Sequence, residues 1–206
     1  MSHLLVIDIG SSQITAAVAE ITDDRRIVVR GLGRARSGGL KQGVVIQIDS
    51  VVDALVRSVA EANQMAETKL TDPLVSVGGS HILGQDISGT VMLNHREVTD
   101  ILLTQAMEQV QAQAQVPERE ILSVIPRSFT LDSQTGIRLP QGMTGNRLDA
   151  HVHVITGATH VINNLKKCLK LAGLEVSVLV PSALAVSQLV LPDERELGVC
   201  VADIGI

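Results

Sequence analysis

The stretch that decides the fold is residues 4–18, with the sequence LLVIDIGSSQITAAV. Residues 4–9 are an apolar run rich in strand-forming side chains, which predicts a strand buried on both faces. Residues 10–12, Gly-Ser-Ser, predict a tight polar turn, and residues 14–18 resume the apolar pattern as a second strand. The stretch therefore predicts a β-hairpin that begins a sheet.

The turn of this hairpin is also suited to binding phosphate. Successive backbone N–H groups in such a turn point into one concavity, and Gly10 lets the chain approach a ligand closely. The side chains of Ser11, Ser12 and Gln13 can add hydrogen-bond donors. Asp8 ends the first strand and is placed to hold Mg²⁺ through water, since Mg²⁺ binds carboxylates and keeps several waters. The alternative is an ordinary hairpin that binds no ligand.

A second apolar strand runs into Asp-Ile-Gly at residues 199–205, VCVADIG. Two such elements in one chain resemble those with which the actin-like ATPase superfamily holds the phosphates of ATP from two sides. On this resemblance, Asp203 and Gly205 are expected to form the second half of the phosphate site. The resemblance is incomplete, because the superfamily continues with further glycines and a threonine where this chain has Ile206.

Composition excludes several classes of function. The 206 residues carry a net charge of −5, and Phe129 is the only Phe, Tyr or Trp, so nucleic-acid binding is not expected. Cys168 and Cys200 lie in apolar contexts without metal-ligand spacing, which predicts buried, reduced thiols in a cytosolic protein. No signal peptide is apparent, and no apolar run reaches the roughly 18 residues that span a bilayer.

The segment after the hairpin predicts an α/β unit. Residues 27–33 read as a third strand, and Ser50 as the N-cap of a helix that runs to about Thr68. Residues 74–77 then read as a parallel return strand. The predicted apolar face of the helix consists of Val51, Val52, Leu55, Val56, Val59 and Met65.

Residues 81–155 have a different pattern, which predicts a small α+β module with one helix on a three-stranded antiparallel sheet. Pro126 is expected to end one of its strands. The α/β pattern resumes after this module, and Gly173 is expected to end a helix. The module's predicted elements are a helix at 97–115 and strands at 121–125, 129–131 and 148–156; those that follow it are helices at 160–172 and 181–191 and strands at 176–180 and 197–204.

Two histidines suggest a metal site. His151 and His153 lie two residues apart on a predicted strand and therefore face the same way. No third ligand is tied to them in the sequence, so exposed strand residues are the favoured interpretation. The chain also lacks the G-x-S-x-G context of a serine hydrolase and the G-x-x-x-x-G-K-[ST] loop of P-loop nucleotidases.

Several segments together resemble the FtsA family of bacterial cell-division proteins, over essentially the whole chain. Asp-Ile-Gly alone implies only the actin-like superfamily, which also contains sugar kinases and chaperone ATPases. The insert that begins at His81 singles out FtsA, in which a subdomain called 1C replaces the 1B subdomain of actin. The matching residues are Asp8 to Ser12, Val44 to Val52, Ile121 to Pro126, Asp132, Gly136-Ile137, Pro140, Gly142-Met143, Gly145, Arg147-Leu148, Val152 to Thr156, Asp193 to Val201 and Asp203 to Gly205.

The resemblance implies an α/β fold of the actin-like (RNase H-like) type. Residues 1–80 and 156–196 correspond to a discontinuous subdomain 1A, and residues 81–155 to an inserted α+β subdomain 1C. Residues 197–206 correspond to the first strand of a truncated subdomain 2A, since members of the family are roughly twice as long as this chain. That strand is expected to pair with another copy or to be disordered.

The resemblance also implies a function: a scaffold that binds ATP with Mg²⁺, polymerises and anchors the FtsZ ring to the cytoplasmic face of the inner membrane at the division septum. Subdomain 1C is expected to bind later division proteins and neighbouring copies. The FtsZ site and the membrane-binding helix belong to regions of the family that this chain does not contain. The chain alone is expected to show no thermal shift with Mg-ATP, and the complete protein to be at most a weak ATPase.

Two other functions share this architecture. One is an ATP-dependent kinase of the same superfamily, in which Asp8 and Asp203 hold Mg-ATP. The other is a pilus-type actin-like adaptor that binds a short peptide. The 1C insert argues against the kinase, and residues 193–198, DERELG, favour FtsA over the pilus adaptor.

Overall fold

The computed structural model describes residues 2–176, 178–189 and 198–202. The chain divides into two compact units, unit 1 (Met1–Ile82 and His160–Ile206) and unit 2 (Leu83–Thr159). The strands are β1 Ser2–Ile9, β2 Gln13–Ile21, β3 Ile27–Arg36, β4 Leu40–Lys41, β5 Val44–Val45, β6 Pro73–Val77, β7 Ile82–Glu97, β8 Arg119–Leu131, β9 Gln134–Ile137, β10 Thr144–Ala158 and β11 Val178–Pro181. The helices are α1 Ile48–Met65, α2 Asp100–Ala114, α3 Thr159–Leu171 and α4 Ser182–Ser187. No helix in these described ranges is long and apolar enough to cross a membrane.

Unit 1 is built on a five-stranded sheet with the order β11-β6-β1-β2-β3. β1 and β2 pair antiparallel and close their turn at Ile9 and Ile14, as the hairpin prediction required. β2 and β3 also pair antiparallel, whereas β6 is parallel to β1 and β11 is parallel to β6. The predicted third strand and parallel return strand are therefore confirmed.

The two faces of this sheet are buried to different extents. Leu5, Ile7 and Ile9 of β1 are buried on one face, together with Ile14, Ala16 and Val18 of β2. We call this the helix face, because α1 packs on it against β2 and β3. Leu4 and Val6 lie on the opposite face, called the open face below, and are only half-buried. The prediction that β1 is buried on both faces is therefore wrong for the open face.

Helix α1 begins one turn earlier than predicted. Its N-cap is Gln47, in an extended conformation and without a side-chain capping bond, so the prediction of Ser50 as N-cap is wrong. The backbone N–H groups of Ile46 and Gln47 both donate to the carbonyl oxygen of Gly39. This tertiary contact fixes the residue at which the helix begins, and Ser50 lies inside the first turn instead of capping it.

Small residues form much of the buried side of α1. Ala54, Ser58 and Ala62 are fully buried, whereas the predicted core residues Val56 and Met65 are 47% and 64% exposed. The reason lies on β3. A Cβ atom added at Gly33 would lie 2.0 Å from the carbonyl oxygen of Ser58, and one at Gly31 would lie 2.0 Å from that of Ala62. Helix and strand therefore pack backbone to backbone.

Helix α3 ends as predicted, while the last described residues differ from expectation. Gly173 follows α3 with a φ of +77°, and Cys168 is fully buried on this helix. Residues 198–202 are not a strand, and Cys200 is exposed, so the predicted burial of that thiol is wrong. Without strand pairing in this stretch, the Cys200 side chain has no sheet to pack against. The remainder of the predicted strand at 197–204 lies outside the described residues.

Unit 2 has four strands, in the order β7-β10-β8-β9, with α2 packed against β10. The prediction of a three-stranded sheet divided β8 into two strands and missed both β7 and β9. The Gly84–Gly89 portion of β7 is polar and glycine-flanked, which concealed that strand. Strand β8 also continues through Pro126 instead of ending there. A register shift opposite His151 and Val152 accommodates the proline, which has no N–H to give to the ladder. The buried positions of this unit include Val91, Leu93, Leu102, Ala106, Val110, Phe129, Leu131, Leu148, Ala150, Val152 and Val154.

Candidate functional site

A cleft of about 480 Å³ lies in unit 1 beside the β1–β2 turn. It contains five of the residues predicted from the sequence: Asp8, Gly10, Ser11, Ser12 and Gln13. Its other lining residues include five that sequence reasoning did not select: Gln42, Gly43, Gly78, Gly79 and Ser182. The remaining predicted site residues, Asp203 and Gly205, lie outside the described residues.

The cleft lies at the carboxyl end of three parallel strands. Gly10 follows β1, Gly78 follows β6 and Ser182 follows β11. Ligands of open α/β sheets characteristically bind at this end of the strands. The sequence had already predicted residues 74–77 as a strand parallel to the first one. Gly78 and Gly79 directly follow that strand, so this prediction could have identified them as residues of the cleft.

Gly10 also has a role in the hairpin itself, which was not predicted from the sequence. Its N–H donates to the carbonyl oxygen of Gln13 at 3.1 Å and thereby closes the hairpin. A Cβ atom at Gly10 would lie 2.8 Å from the same oxygen, so the turn itself requires glycine here. Because the Gly10 N–H is used within the hairpin, other donors of the turn have to hold a phosphate.

Ser11 joins the turn to the loop between β4 and β5. Its hydroxyl accepts a hydrogen bond from the N–H of Gly43 at 3.2 Å, and its own O–H can still donate towards the cleft. The carbonyl oxygen of Ser12 accepts from the N–H of Ser37 at 3.0 Å. The exposed side chains of Ser12 and Gln13 leave two further polar groups at the surface of the cleft.

Close backbone contacts form the other side of the cleft. Gly43 has a φ of +79°, and a Cβ there would lie 2.0 Å from the carbonyl oxygen of Gly78. Gly79 has a φ of +129°, and a Cβ there would lie 2.4 Å from the carbonyl oxygen of Gln42. Both positions thus need glycine for conformation and for space. Nearby, the hydroxyls of Ser76 and Ser182 are hydrogen-bonded at 2.9 Å.

Asp8 is the one ionisable side chain among the described residues that line the cleft. It is exposed at the end of β1. A carboxylate repels a phosphate unless a cation lies between them, and Mg²⁺ binds both groups while retaining water. The residues present therefore fit a phosphate ligand that carries its own Mg²⁺.

The histidines of unit 2 are held by hydroxyl and carboxylate groups. His151 lies 2.8 Å from Ser88 Oγ through Nδ1 and 2.8 Å from Thr130 Oγ1 through Nε2. His153 Nδ1 lies 2.7 Å from a carboxylate oxygen of Asp86. In the part of the chain that the structure describes, no three His, Cys, Asp or Glu side chains are grouped to hold a metal ion. Both histidines lie on β10 and are only partly exposed, so they are not the exposed strand residues that the sequence suggested.

Asp86 has two hydrogen-bonding neighbours, His153 and Arg127, on the exposed side of the unit 2 sheet. Besides the contact with His153, its second carboxylate oxygen accepts a hydrogen bond from Arg127 at 2.8 Å. The hydrogen bond with His153, with the charge of Arg127 adding to it, lowers the pKa of Asp86 below its ordinary value of 3.8. This cluster ties β7 to both β8 and β10.

Comparison with known families and proteins gives matches over nearly the whole chain. The family described as "SHS2 domain inserted in FTSA" matches residues 79–156. The cell division protein FtsA of Neisseria meningitidis is 40% identical over 98% of this chain and 49% of its own length. FtsA of Pseudomonas aeruginosa is 39% identical over 97% of this chain and 48% of its own length, and that of Escherichia coli K12 is 34% identical over the same shares. The chain thus spans about half the length of these relatives.

A solved structure shares the fold. A chain of the PilM-PilN type IV pilus biogenesis complex aligns with a TM-score of 0.62 over 94% of this chain and 51% of its own length, at 16% identity. At that identity the similarity concerns the fold alone. The predicted class, an actin-like α/β fold with an inserted α+β module, is confirmed.

Proposed function

Because the chain is homologous to FtsA cell-division proteins over about half of their length, we propose that it functions in a cell-division scaffold of that kind. The observation that carries the proposal is the match of residues 79–156 to the SHS2 domain inserted in FtsA. Those residues correspond closely to unit 2, whose sequence interrupts unit 1. In this proposal, unit 1 is subdomain 1A and unit 2 is subdomain 1C.

The cleft of unit 1 is, in this proposal, where the phosphates of ATP are held. Asp8 binds the accompanying Mg²⁺ through water, while Ser11, Ser12 and Gln13 donate to phosphate oxygens. The position of the cleft at the ends of β1, β6 and β11 supports this role. Asp203 and Gly205 are assigned to the opposite side of the same phosphates on the basis of the sequence pattern alone.

The proposed role is that of a scaffold rather than an enzyme. Unit 2 contacts neighbouring copies and later division proteins. In this proposal, binding to FtsZ and attachment to the cytoplasmic face of the inner membrane are assigned to regions outside this chain, which spans about half the length of the FtsA relatives. The similarity to FtsA over nearly the whole chain favours this role over a superfamily kinase or a pilus-type adaptor.

The scaffold role is tested by joining this chain to the remaining half of P. aeruginosa FtsA. With Mg-ATP, this fusion is expected to bring purified FtsZ to vesicles that contain anionic lipid, as measured by co-sedimentation. The natural P. aeruginosa protein is the positive control. If the natural protein recruits FtsZ and the well-folded fusion does not, the proposal is wrong.

The nucleotide site is tested in the same fusion by thermal unfolding. Mg-ATP at 100 times its dissociation constant stabilises by about 2.7 kcal/mol, which raises the melting temperature of a chain about twice as long as this one by roughly 3 °C. Asp8→Asn is expected to weaken Mg-ATP binding by at least about tenfold. Asp24→Asn, in the exposed turn between β2 and β3, is the matched control and should leave binding unchanged. Equal binding by both variants would remove Asp8 from the site.

A further inference from the structure

The short hairpin of β4 and β5 lines the cleft of unit 1 with its tip. The two strands pair antiparallel, and their register leaves only Gln42 and Gly43 to join them. Both residues have a positive φ, 51° and 79° respectively. Positive φ angles at both central positions are characteristic of a type I′ turn, a common turn of two-residue hairpins. Both residues of this turn are among those that line the cleft.

Gln42 is an unusual residue for the first position of such a turn. A positive φ brings the Cβ atom of a side chain close to the backbone, so these turns favour Asn, Asp or Gly. The backbone conformation would therefore be easier to adopt with one of those three residues in place of Gln42. Residues held in such conformations concentrate at ligand sites, where the strain serves the function.

The side chain of Gln42 is not what holds the hairpin in place. The backbone N–H of Gly43 donates to the hydroxyl of Ser11 at 3.2 Å. On the other side, a Cβ at Gly79 would lie 2.4 Å from the carbonyl oxygen of Gln42, so the two backbones are in close contact. Gln42 itself is exposed, and its side-chain amide has no hydrogen-bond partner among the described residues. The amide is therefore available to a ligand of the cleft.

The cleft has few other groups that can donate to a phosphate. The N–H of Gly10 is used within the β1–β2 hairpin, and the N–H of Gly43 is used by Ser11. Asp8 is the one ionisable side chain among the described lining residues, so none of them supplies a positive charge. A glutamine amide offers two N–H donors and no charge. Hydrogen bonds from such donors to a charged phosphate are stronger than those between neutral groups.

We propose that Gln42 is a phosphate-binding residue, whose side-chain amide donates to a phosphate oxygen of the ligand held beside the β1–β2 turn. This inference rests on the proposed nucleotide site and adds to it a residue from a separate loop. The contacts of the turn with Ser11 and Gly79 fix the Gln42 backbone before a ligand arrives, which lowers the entropy lost on binding. Gln42 therefore weakens the turn and strengthens the binding of the ligand.

Gln42→Asn separates these two effects, because asparagine suits the turn while its amide is one methylene shorter. The melting temperature of this chain should rise by about 1–4 °C. In the fusion with P. aeruginosa FtsA, the affinity for Mg-ATP should fall about tenfold, as measured by isothermal titration calorimetry at about 0.15 M salt.

Glu67→Asn is the matched control for the strain. Glu67 also has a positive φ, 52°, and is exposed. It precedes β6, whose far end borders the cleft, so it lies at the opposite end of that strand. This substitution should raise the melting temperature in the same way and leave the affinity for Mg-ATP unchanged.

Gln42→Glu tests the donor itself. The carboxylate has nearly the shape of the amide but can only accept hydrogen bonds and repels a phosphate, so the affinity for Mg-ATP should fall by at least about tenfold. Lys41→Gln makes the same change of charge at the neighbouring exposed residue, which is not among those that line the cleft. This control should change the affinity by less than about threefold, because salt screens a charge that does not touch the ligand.

The possible failures point to different conclusions. If the unmodified fusion does not bind Mg-ATP, the proposed nucleotide site is wrong and this inference with it. If the unmodified fusion binds Mg-ATP and either Gln42 variant binds it equally well, only the role of Gln42 is overturned. An equal loss in Gln42→Glu and Lys41→Gln also overturns that role, since charge alone would then explain the effect. So does a lower melting temperature of Gln42→Asn, because the side chain would then support the fold.

Discussion

The hydroxyl of Ser11 accepts a hydrogen bond from the backbone N–H of Gly43 at 3.2 Å. This bond joins the β1–β2 turn to a loop 32 residues further along the chain. The Ser11 hydroxyl thereby holds these two parts of the cleft lining together, and its O–H can still donate a hydrogen bond to a ligand. Its contribution to stability can be measured without any ligand.

Ser11→Ala is expected to lower the free energy of unfolding by about 1 kcal/mol, because the partly buried N–H of Gly43 loses its acceptor. Ser12→Ala is the matched control, since the Ser12 side chain is exposed and its backbone contact with Ser37 survives the change. Urea unfolding followed by circular dichroism gives both values. Equal stability of the two variants would mean that the Ser11 bond adds nothing to folding.

Gly33→Ala is expected to destabilise the protein by about 1–3 kcal/mol or more, because the new methyl group overlaps the backbone of α1. The added Cβ would lie 2.0 Å from the carbonyl oxygen of Ser58. A loss of this size lowers the melting temperature by about 3–10 °C.

Gly38→Ala is the control for this substitution. Nothing lies within 4 Å of a Cβ added at Gly38, and its φ is not positive, so stability should change by no more than about 0.5 kcal/mol. If Gly33→Ala were as stable as Gly38→Ala, the backbone packing of α1 on β3 would be incorrect.

Asp86 is expected to make the free energy of unfolding decrease at acidic pH. Its pKa is lowered in the folded protein by His153 and Arg127, so its contribution is present above the ordinary pKa of 3.8 and is lost as pH falls through the folded pKa. NMR titration of the carboxyl group should place the folded pKa below 3.8. His153→Asn should move the value back towards the ordinary one.

The corresponding stability measurement compares Asp86→Asn with Asp24→Asn. Between about pH 6 and about pH 3, the Asp86→Asn variant should lose less stability than the unmodified protein, whereas the Asp24→Asn control should not reproduce this difference. The same pH profile for all three proteins would contradict the assignment.

The two cysteines are expected to differ in reactivity. Cys200 is exposed, whereas Cys168 is fully buried on α3, and burial raises the pKa of its thiol. Iodoacetamide at neutral pH should therefore label Cys200 at least about tenfold faster than Cys168, as followed by mass spectrometry. In Cys200→Ser, labelling should become fast only when urea unfolds the chain. Rapid labelling of that variant in its native state would contradict the burial of Cys168.

The hairpin could be predicted because its information is local. Residues 4–18 carry the strand pattern and the turn within one stretch, and the parallel strand at residues 74–77 follows a helix of suitable length. The core of α1 could not be predicted in the same way. Periodicity selected the large residues Val56 and Met65, but Gly31 and Gly33 bring the small residues of α1 against the sheet.

About half of the residues that line the cleft could be predicted, because they too lie within one short stretch of sequence. Asp8 and residues 10–13 are consecutive in sequence and share a turn. Gly43 and Gly79 come from two other loops, and their role depends on a backbone contact that only the folded chain creates. A glycine-containing loop in sequence does not reveal which other backbone it will touch.

The contact of α1 with Gly31 and Gly33 also has a mechanical consequence. The carbonyl oxygens of Ser58 and Ala62 are one helical turn apart, which is close to the spacing of two residues along a strand. Sliding the helix by two strand residues, about 6.8 Å, would bring a carbonyl oxygen against the Cβ of Ala35. Helix and strand are therefore locked against shear, and a force applied along β3 is transmitted directly to α1.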